Sequence, residues 1–278
     1  MLYLRILKAQ TANSCLVIRH LSFEILLMAG HSKYANIKHR KAAVDAKRGK
    51  VWTKLSKAIT VAAKMGGGDP DANPRLRLAV SDAKAVSMPK DNIERAIKKG
   101  TGELESDNLE EVIYEGYGAG GVAVMCDALT DNRNRTAPEL RKIFEVNGGS
   151  LGSTNCVGYM FDRKGVFLLA ADKIGEEQIM ELALEAGAED IQRVEDMWEV
   201  TCPPEAYGDL AAALEDAEIT TDSQELTRIS QHSTAVEDID TARRVLKLIE
   251  ALDDHDDIQN VSSNFDIPDE MMAELETE

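Results

Sequence analysis

The residues of this sequence with the clearest chemical meaning are cations crowded near the N-terminus. Residues 31–50 contain seven Lys or Arg side chains and a single acid, Asp45. Like charges at this density repel one another unless a polyanion is present, and phosphates that bind them release counterions, which drives binding regardless of sequence. We therefore expect this segment to contact the phosphate backbone of a nucleic acid.

The expected contacts include an aromatic ring and an amide as well as cations. Tyr34 can stack on a base, and Asn36 can form hydrogen bonds with base edges or with the backbone. The predicted nucleic-acid-binding residues are Lys33, Tyr34, Asn36, Lys38, His39, Arg40, Lys41, Lys47, Arg48, Lys50, Lys54 and Lys57. The alternative is a solvated basic face or a disordered arm without a ligand.

Two further groups of cations lie outside this segment. Arg133, Arg135, Arg141 and Lys142 form a smaller secondary patch near a predicted helix N-terminus, where phosphate can bind. These arginines can equally pair with neighbouring acids, so both interpretations stay open. The cations of a third predicted helix extend the basic character, although no clean helix-turn-helix pattern accompanies them. They are Lys90, Arg95, Lys98 and Lys99.

The charge of the chain is strongly segregated. The net charge is −17, but residues 28–102 carry +11 and residues 103–278 carry −30. A polyanion that binds the basic part repels the acidic part, so we expect the acidic part to face away or to contact a protein partner. Both duplex DNA and ribosomal RNA fit the basic part, and the sequence does not separate them.

Several motifs look catalytic but lack the surroundings that their chemistry needs. Gly116–Gly121 matches G-x-G-x-x-G, yet a Val-rich segment follows instead of a helix. Ser150 is the centre of a G-x-S-x-G match, but a helix precedes it, which argues against a nucleophile elbow and a hydrolase. Asp253–Asp257 reads as a solvated turn, because consecutive residues do not all converge on one ion. We therefore predict no catalytic, cofactor or metal site, and no enzyme.

The cysteines and the N-terminal residues indicate a compartment. The four cysteines form no Cys-x-x-Cys pair, which favours a reducing environment and small buried thiols. No apolar run approaches the roughly 20 residues that span a bilayer. Residues 1–27 make a poor secretory signal, and we interpret them as a leader outside the fold, with an organellar transit peptide as the alternative. A cytoplasmic protein that contacts no membrane is expected.

The hydrophobic periodicity predicts an α+β protein. Residues 28–104 form a basic helical bundle of three helices, the third of which stops at Gly100. Residues 105–162 and 234–268 form one α+β domain, with a helix opened by a capping box at Thr136 and a strand near 156–161. The order βαββαβ over 163–233 predicts an inserted ferredoxin-like domain. The acidic tail, 269–278, is expected to fray.

Several motifs together resemble the YebC/PmpR family. The match runs from Met28 to about Asp266, and one departure is Tyr34, where the family usually has tryptophan. The matching motifs are Met28-Ala29-Gly30-His31-Ser32-Lys33, Asn36-Ile37-Lys38-His39-Arg40-Lys41, Gly66-Gly67-Gly68-Asp69-Pro70, Asn73-Pro74-Arg75-Leu76, Tyr114-Glu115-Gly116-Tyr117-Gly118 and Thr130-Asp131-Asn132-Arg133-Asn134-Arg135-Thr136.

The resemblance implies three domains and a non-enzymatic, cytoplasmic regulator of gene expression. Members are described as DNA-binding transcriptional regulators. Mitochondrial relatives are translational activators, and bacterial members have also been assigned to the ribosome as factors that ease proline-rich stalls. The function expected from the sequence is therefore DNA-binding transcription regulation, with RNA-binding translation regulation as the first alternative and an acidic protein-interaction adaptor as the second.

Overall fold

The computed structural model describes residues 48–105, 108–194 and 196–276. It shows a mixed α and β protein that begins with a helical domain and continues with sheets. In chain order the elements are α1 (Arg48–Gly66), α2 (Pro74–Ala85), α3 (Lys90–Thr101), β1 (Glu110–Tyr117), β2 (Ala123–Thr130), α4 (Arg133–Val146), β3 (Ser150–Leu151), β4 (Phe161–Ala170), α5 (Glu176–Glu185), β5 (Asp190–Val194), β6 (Met197–Cys202), α6 (Tyr207–Asp216), β7 (Ser223–Ser230), β8 (Thr234–Ala235), α7 (Ile239–Asp253), β9 (Ile258–Ser263), β10 (Phe265–Asp266) and α8 (Asp269–Glu276).

The helical domain is organised around α1, which packs against both α2 and α3. Its core contains the apolar residues that the helical spacing predicted, among them Ile59, Leu76 and Ala83. Gly100 lies inside α3, where a Cβ atom would come within 2.4 Å of the Thr60 carbonyl oxygen. The helix ends instead at Gly102, which has a φ of 83°. The prediction that Gly100 stops the helix is therefore wrong, because this glycine serves close packing against α1.

The central sheet has the strand order β3–β1–β2–β9. Helices α4 and α7 supply Phe144 and Leu248 to the same core, where both side chains are fully buried. Helix α4 begins at Arg133, and its cap is Asn132, whose side chain accepts a hydrogen bond from the Arg135 N–H at 3.2 Å. The predicted capping box at Thr136 is therefore wrong, since this threonine lies within the first turns of the helix.

The second sheet has the order β5–β6–β4–β7, and every neighbouring pair is antiparallel. Together with α5 and α6 it follows the order βαββαβ, which is ferredoxin-like. Because β9 comes after this unit and pairs with β2 before it, the unit is inserted in the chain of the central sheet. The predicted fold class is confirmed, while the exact domain boundaries stay predictions.

Two other predictions from the sequence are wrong. No strand covers 156–161: Gly158–Met160 is a 3₁₀ turn, and Phe161 already begins β4 of the second sheet. The tail was expected to fray, but α8 packs on the core of the central sheet through Met271, Met272 and Leu275. Apolar residues at helical spacing outweigh its acidic composition.

Candidate nucleic-acid interface

Three of the predicted lysines of α1 contact the segment Asp253–Asp257, called here the acidic turn. The Lys50 ammonium group donates to the Asp254 carbonyl oxygen at 3.2 Å. Lys54 donates to the carbonyl oxygen of Asp253 and lies 3.3 Å from its carboxylate. The final carbonyls of a helix have no partner within it and carry partial negative charge, so cations there are stabilising. These lysines therefore cap the C-terminal end of α7.

The third lysine reaches a buried carboxylate. Lys57 donates to Asp257 Oδ1 at 2.6 Å and to the Asp256 carbonyl oxygen at 3.0 Å. Asp257 Oδ2 accepts a hydrogen bond from Arg135 at 3.0 Å and lies 2.7 Å from the Thr136 hydroxyl. The hydroxyl of Thr130 on β2 is also 3.1 Å from Oδ2. Side chains of three elements, α1, β2 and α4, therefore contact this one carboxyl group of the acidic turn.

The protonation of Asp257 follows from this environment. Burial alone would raise its pKa, but the hydrogen bonds from Lys57, Thr136 and Arg135 outweigh the burial and hold the pKa well below its usual range. The group is an anion that the protein itself neutralises. The interpretation of Asp253–Asp257 as a solvated turn is wrong at this residue, whose side chain is 3% exposed.

These contacts also show how the two charged parts meet within the protein. The acidic part as a whole is predicted to face away from a bound nucleic acid or to contact a protein partner, whereas its acidic turn lies directly on the lysines of α1. The side chains of Lys54 and Lys57 are only 17% and 19% exposed. In this arrangement both lysines join the helical domain to the central sheet, and their ammonium groups are already paired with protein oxygens.

The other predicted contacts lie largely outside the described residues. This applies to Lys33, Tyr34, Asn36, Lys38, His39, Arg40, Lys41 and Lys47, and to the side chain of Arg48. Nucleic-acid binding by these residues remains a prediction.

The secondary patch is split between paired and exposed residues. Arg133 pairs with Glu110 at 2.6 Å, and Arg135 pairs with Asp131 and Asp257. These pairs favour the interpretation in which the arginines neutralise local acids. Arg141 and Lys142 lie exposed farther along α4. The patch is therefore not one convergent cluster.

Cations that the sequence analysis noted but did not place in the site lie on α3. Arg95 and Lys98 are exposed and Lys99 is half-buried. Their positions at i, i+3 and i+4 place them on neighbouring turns of one helix face. The basic character of α3 is visible in the sequence, but the lysines of α1 are more closely spaced, and the predicted binding residues therefore include α1 and not α3.

The segments that match G-x-G-x-x-G and G-x-S-x-G lie in the central sheet and its connections. Gly116–Gly121 joins β1 to β2 through a 3₁₀ turn, so no helix follows the glycines. Ser150 is exposed in the short strand β3 and pairs with Tyr117. Cys126 and Cys202 are buried, and Cys156 is half-buried. Over the described ranges, no His, Cys, Asp and Glu side chains group in a way that could hold a metal ion.

Among the helices that the structure describes, none is long and apolar enough to span a bilayer.

Comparisons with known proteins cover nearly the whole described chain. A family model described as the TACO1/YebC protein N-terminal domain matches residues 32–103, and one for the TACO1/YebC second and third domain matches residues 109–265. A probable transcriptional regulatory protein of Rhodopirellula baltica is 62% identical over 249 residues, which are 89% of this chain and 100% of that protein. One from Syntrophobacter fumaroxidans is 54% identical over 248 residues, with 89% and 100% coverage.

A solved structure is similar as well. The crystal structure of a conserved hypothetical protein from Aquifex aeolicus is 47% identical, with a TM-score of 0.74, and the match covers 81% of this chain and 93% of that one.

Proposed function

Because this chain belongs to the TACO1/YebC family, we propose that it is a DNA-binding regulator of transcription that acts in the cytoplasm and catalyses no reaction. The observation that carries the proposal is the separation of charge, with +11 over residues 28–102 and −30 over residues 103–278. Cations concentrated in one part of a chain that is acidic as a whole are typical of a surface that meets a polyanion. The names of its relatives as transcriptional regulatory proteins support the same role.

The predicted contacts now divide into two groups. We assign the phosphate contacts to the N-terminal set from Lys33 to Arg48. Lys54 and Lys57 are instead assigned to the junction between the helical domain and the central sheet, since their ammonium groups already contact protein oxygens.

One observation favours a second candidate, an rRNA-binding translation factor. The exposed side of α3 carries the acids Asp91 and Glu94 beside Arg95 and Lys98. A recognition helix inserted in the major groove lies between two phosphate backbones, which would repel these carboxylates. A single strand or an RNA crevice can be contacted from the cationic side alone.

Binding to labelled nucleic acids tests the proposal. The full chain is titrated with a 20-base-pair DNA duplex and with a single-stranded RNA of equal length, at several salt concentrations. We expect binding whose logarithm falls linearly with log salt, and a K38A/R40A/K41A variant whose slope is smaller by about 2–3, from 0.7–0.9 per lost contact. Absence of binding to both probes at about 50 mM salt would contradict the proposal and favour an adaptor whose acidic sheets bind a basic protein.

A further inference from the structure

A groove lies between α1 and α3 of the helical domain. Its volume is about 440 Å³, within the size range of small-ligand sites. Helix α1 contributes Trp52, Thr53 and Ser56, and α3 contributes Asn92, Arg95 and Lys99. Lys57 of α1 lines the groove as well, with its ammonium group paired to Asp257. The groove therefore combines this cation and the two cations of α3 with an aromatic ring and several side chains that can donate hydrogen bonds.

The charge of this lining is unusual for this protein. No Asp or Glu is among the described residues that line the groove, although the chain has 49 acids and a net charge of −17. A metal ion would find no carboxylate ligand there, whereas an anion would meet Arg95, Lys99 and side chains that can donate hydrogen bonds, beside apolar residues such as Ala96 and Leu109.

The two cations of α3 are also available. Neither Arg95 nor Lys99 forms an ion pair within the part of the chain that the structure describes, in contrast to Lys54 and Lys57. Their positions at i and i+4 lie about 5–6 Å apart at the Cβ atoms. This spacing allows the pair to contact neighbouring phosphates of one strand.

The aromatic ring lies in the same groove and is held in a fixed orientation. Trp52 is half-buried, and its Nε1 donates to the Val86 carbonyl oxygen at 3.4 Å. An indole ring presents a large apolar surface on which a nucleobase can stack. A nucleotide carries both the phosphate and the base that this lining suits.

We infer that the groove binds one nucleotide of a nucleic-acid strand, with its flanking phosphates at Arg95 and Lys99 and its base against Trp52. The inference rests on the proposed function and deepens it, because it adds a second contact region to the N-terminal set. A free nucleotide presents the same chemistry, but Lys98 continues the cations beyond the groove, which suits a longer strand.

The test compares matched variants of the full chain. R95Q/K99Q removes the two cations that α3 contributes to the groove, and R244Q/K247Q makes the same charge change on the exposed side of α7. T53E is a second groove variant that adds a carboxylate at an exposed position without removing any packing. Each is titrated with the 20-nucleotide RNA, the DNA duplex and a nucleoside monophosphate, after circular dichroism confirms its fold.

We expect R95Q/K99Q to bind the strands about three- to tenfold more weakly and to lower the salt slope by about 1.4 for the RNA, from 0.7 per contact. T53E should weaken binding as well, and R244Q/K247Q much less. Strand binding should also quench tryptophan fluorescence in the wild type but not in a W52F variant, in which only Trp198 remains.

Three outcomes would overturn the inference in different ways. If the wild type binds the strands and both groove variants bind with unchanged affinity and slope, the groove is not part of the interface, and the proposed function stands. If the wild type binds no strand at low salt, both fail. Tight binding of the monophosphate, with no gain from a strand, would replace the strand by a free nucleotide as the ligand.

Discussion

Lys57 and Asp257, 200 residues apart in the chain, form an ion pair of 2.6 Å that joins the helical domain to the central sheet. The carboxylate is nearly inaccessible to water, and the lysine is 19% exposed. A buried charge is costly when its partner is removed, so this pair constrains how the two parts dock. Some cations of the basic part are thus paired with carboxylates of the acidic part within the protein itself.

Replacing Asp257 by asparagine should destabilise the protein by about 3 kcal/mol, at the low end of the range for breaking a buried pair. Lys57 and Arg135 lose the negative charge that they share, and an NH2 group that cannot accept their hydrogen bonds replaces one carboxylate oxygen. D256N provides a matched control, since the side chain of Asp256 is exposed and its contact with Lys57 is made by its backbone carbonyl. Urea unfolding measures both. Equal stability of the two variants would show that the Asp257 network contributes little.

Stability should fall in acid through the same carboxyl group. The folded protein holds the pKa of Asp257 below that of the unfolded chain, which is about 3.9. The stabilisation is therefore complete above about pH 4 and is lost as the pH falls below that value. Urea midpoints measured from pH 6 to pH 2 should decline less steeply for D257N than for the wild type. Parallel curves would assign the acid sensitivity to other groups.

The loop between the two sheets should depend on Glu115. Its buried carboxylate accepts hydrogen bonds from the backbone N–H groups of Asn155, Val157 and Gly158 at 2.7–2.9 Å. E115Q keeps the size but replaces one acceptor oxygen by a donor, so at least one N–H loses its partner, at a cost of about 1.5–3 kcal/mol. Hydrogen exchange at these three amides should quicken in E115Q. Unchanged protection would contradict this role of the carboxylate.

Two glycines in the helical domain should respond oppositely to alanine. At Gly100 a Cβ atom would meet the Thr60 carbonyl oxygen and the Ala63 Cβ, and overpacking of this kind costs about 1–3 kcal/mol. At Gly49, in the first turn of α1, nothing lies within 4 Å, so alanine should be neutral or stabilise by up to about 1 kcal/mol. Thermal unfolding of G100A and G49A checks the contrast, and similar melting temperatures would show that α1 and α3 adjust freely.

The elements of the fold were largely predictable because their apolar spacing is regular. The order βαββαβ, predicted over residues 163–233, is the order in which β4, α5, β5, β6, α6 and β7 follow one another. The errors arose where tertiary contacts decide. Thr136 resembles a cap, but its hydroxyl is 2.7 Å from Asp257, which is remote in the sequence, and Asn132 caps the helix instead.

The candidate site was harder to predict, since a sequence shows charge but not what faces it. Lys50, Lys54 and Lys57 stand at i, i+4 and i+7, a spacing that places them on one helix face. Nothing local indicates that this face lies on a turn about 200 residues later. The groove was not predicted from the sequence, because Trp52 and Arg95 belong to different helices and come together only when α1 packs against α3.

The central claim is that this chain binds nucleic acid through its basic N-terminal part. Cross-linking and immunoprecipitation in cells, with sequencing of both the RNA and the DNA recovered, tests it most directly. If the protein is a DNA-binding regulator, we expect discrete DNA peaks, and if it is a translation factor, we expect reads concentrated on ribosomal RNA. In either case the signal should be lost in the K38A/R40A/K41A variant. Recovery of neither nucleic acid above an untagged control would contradict it.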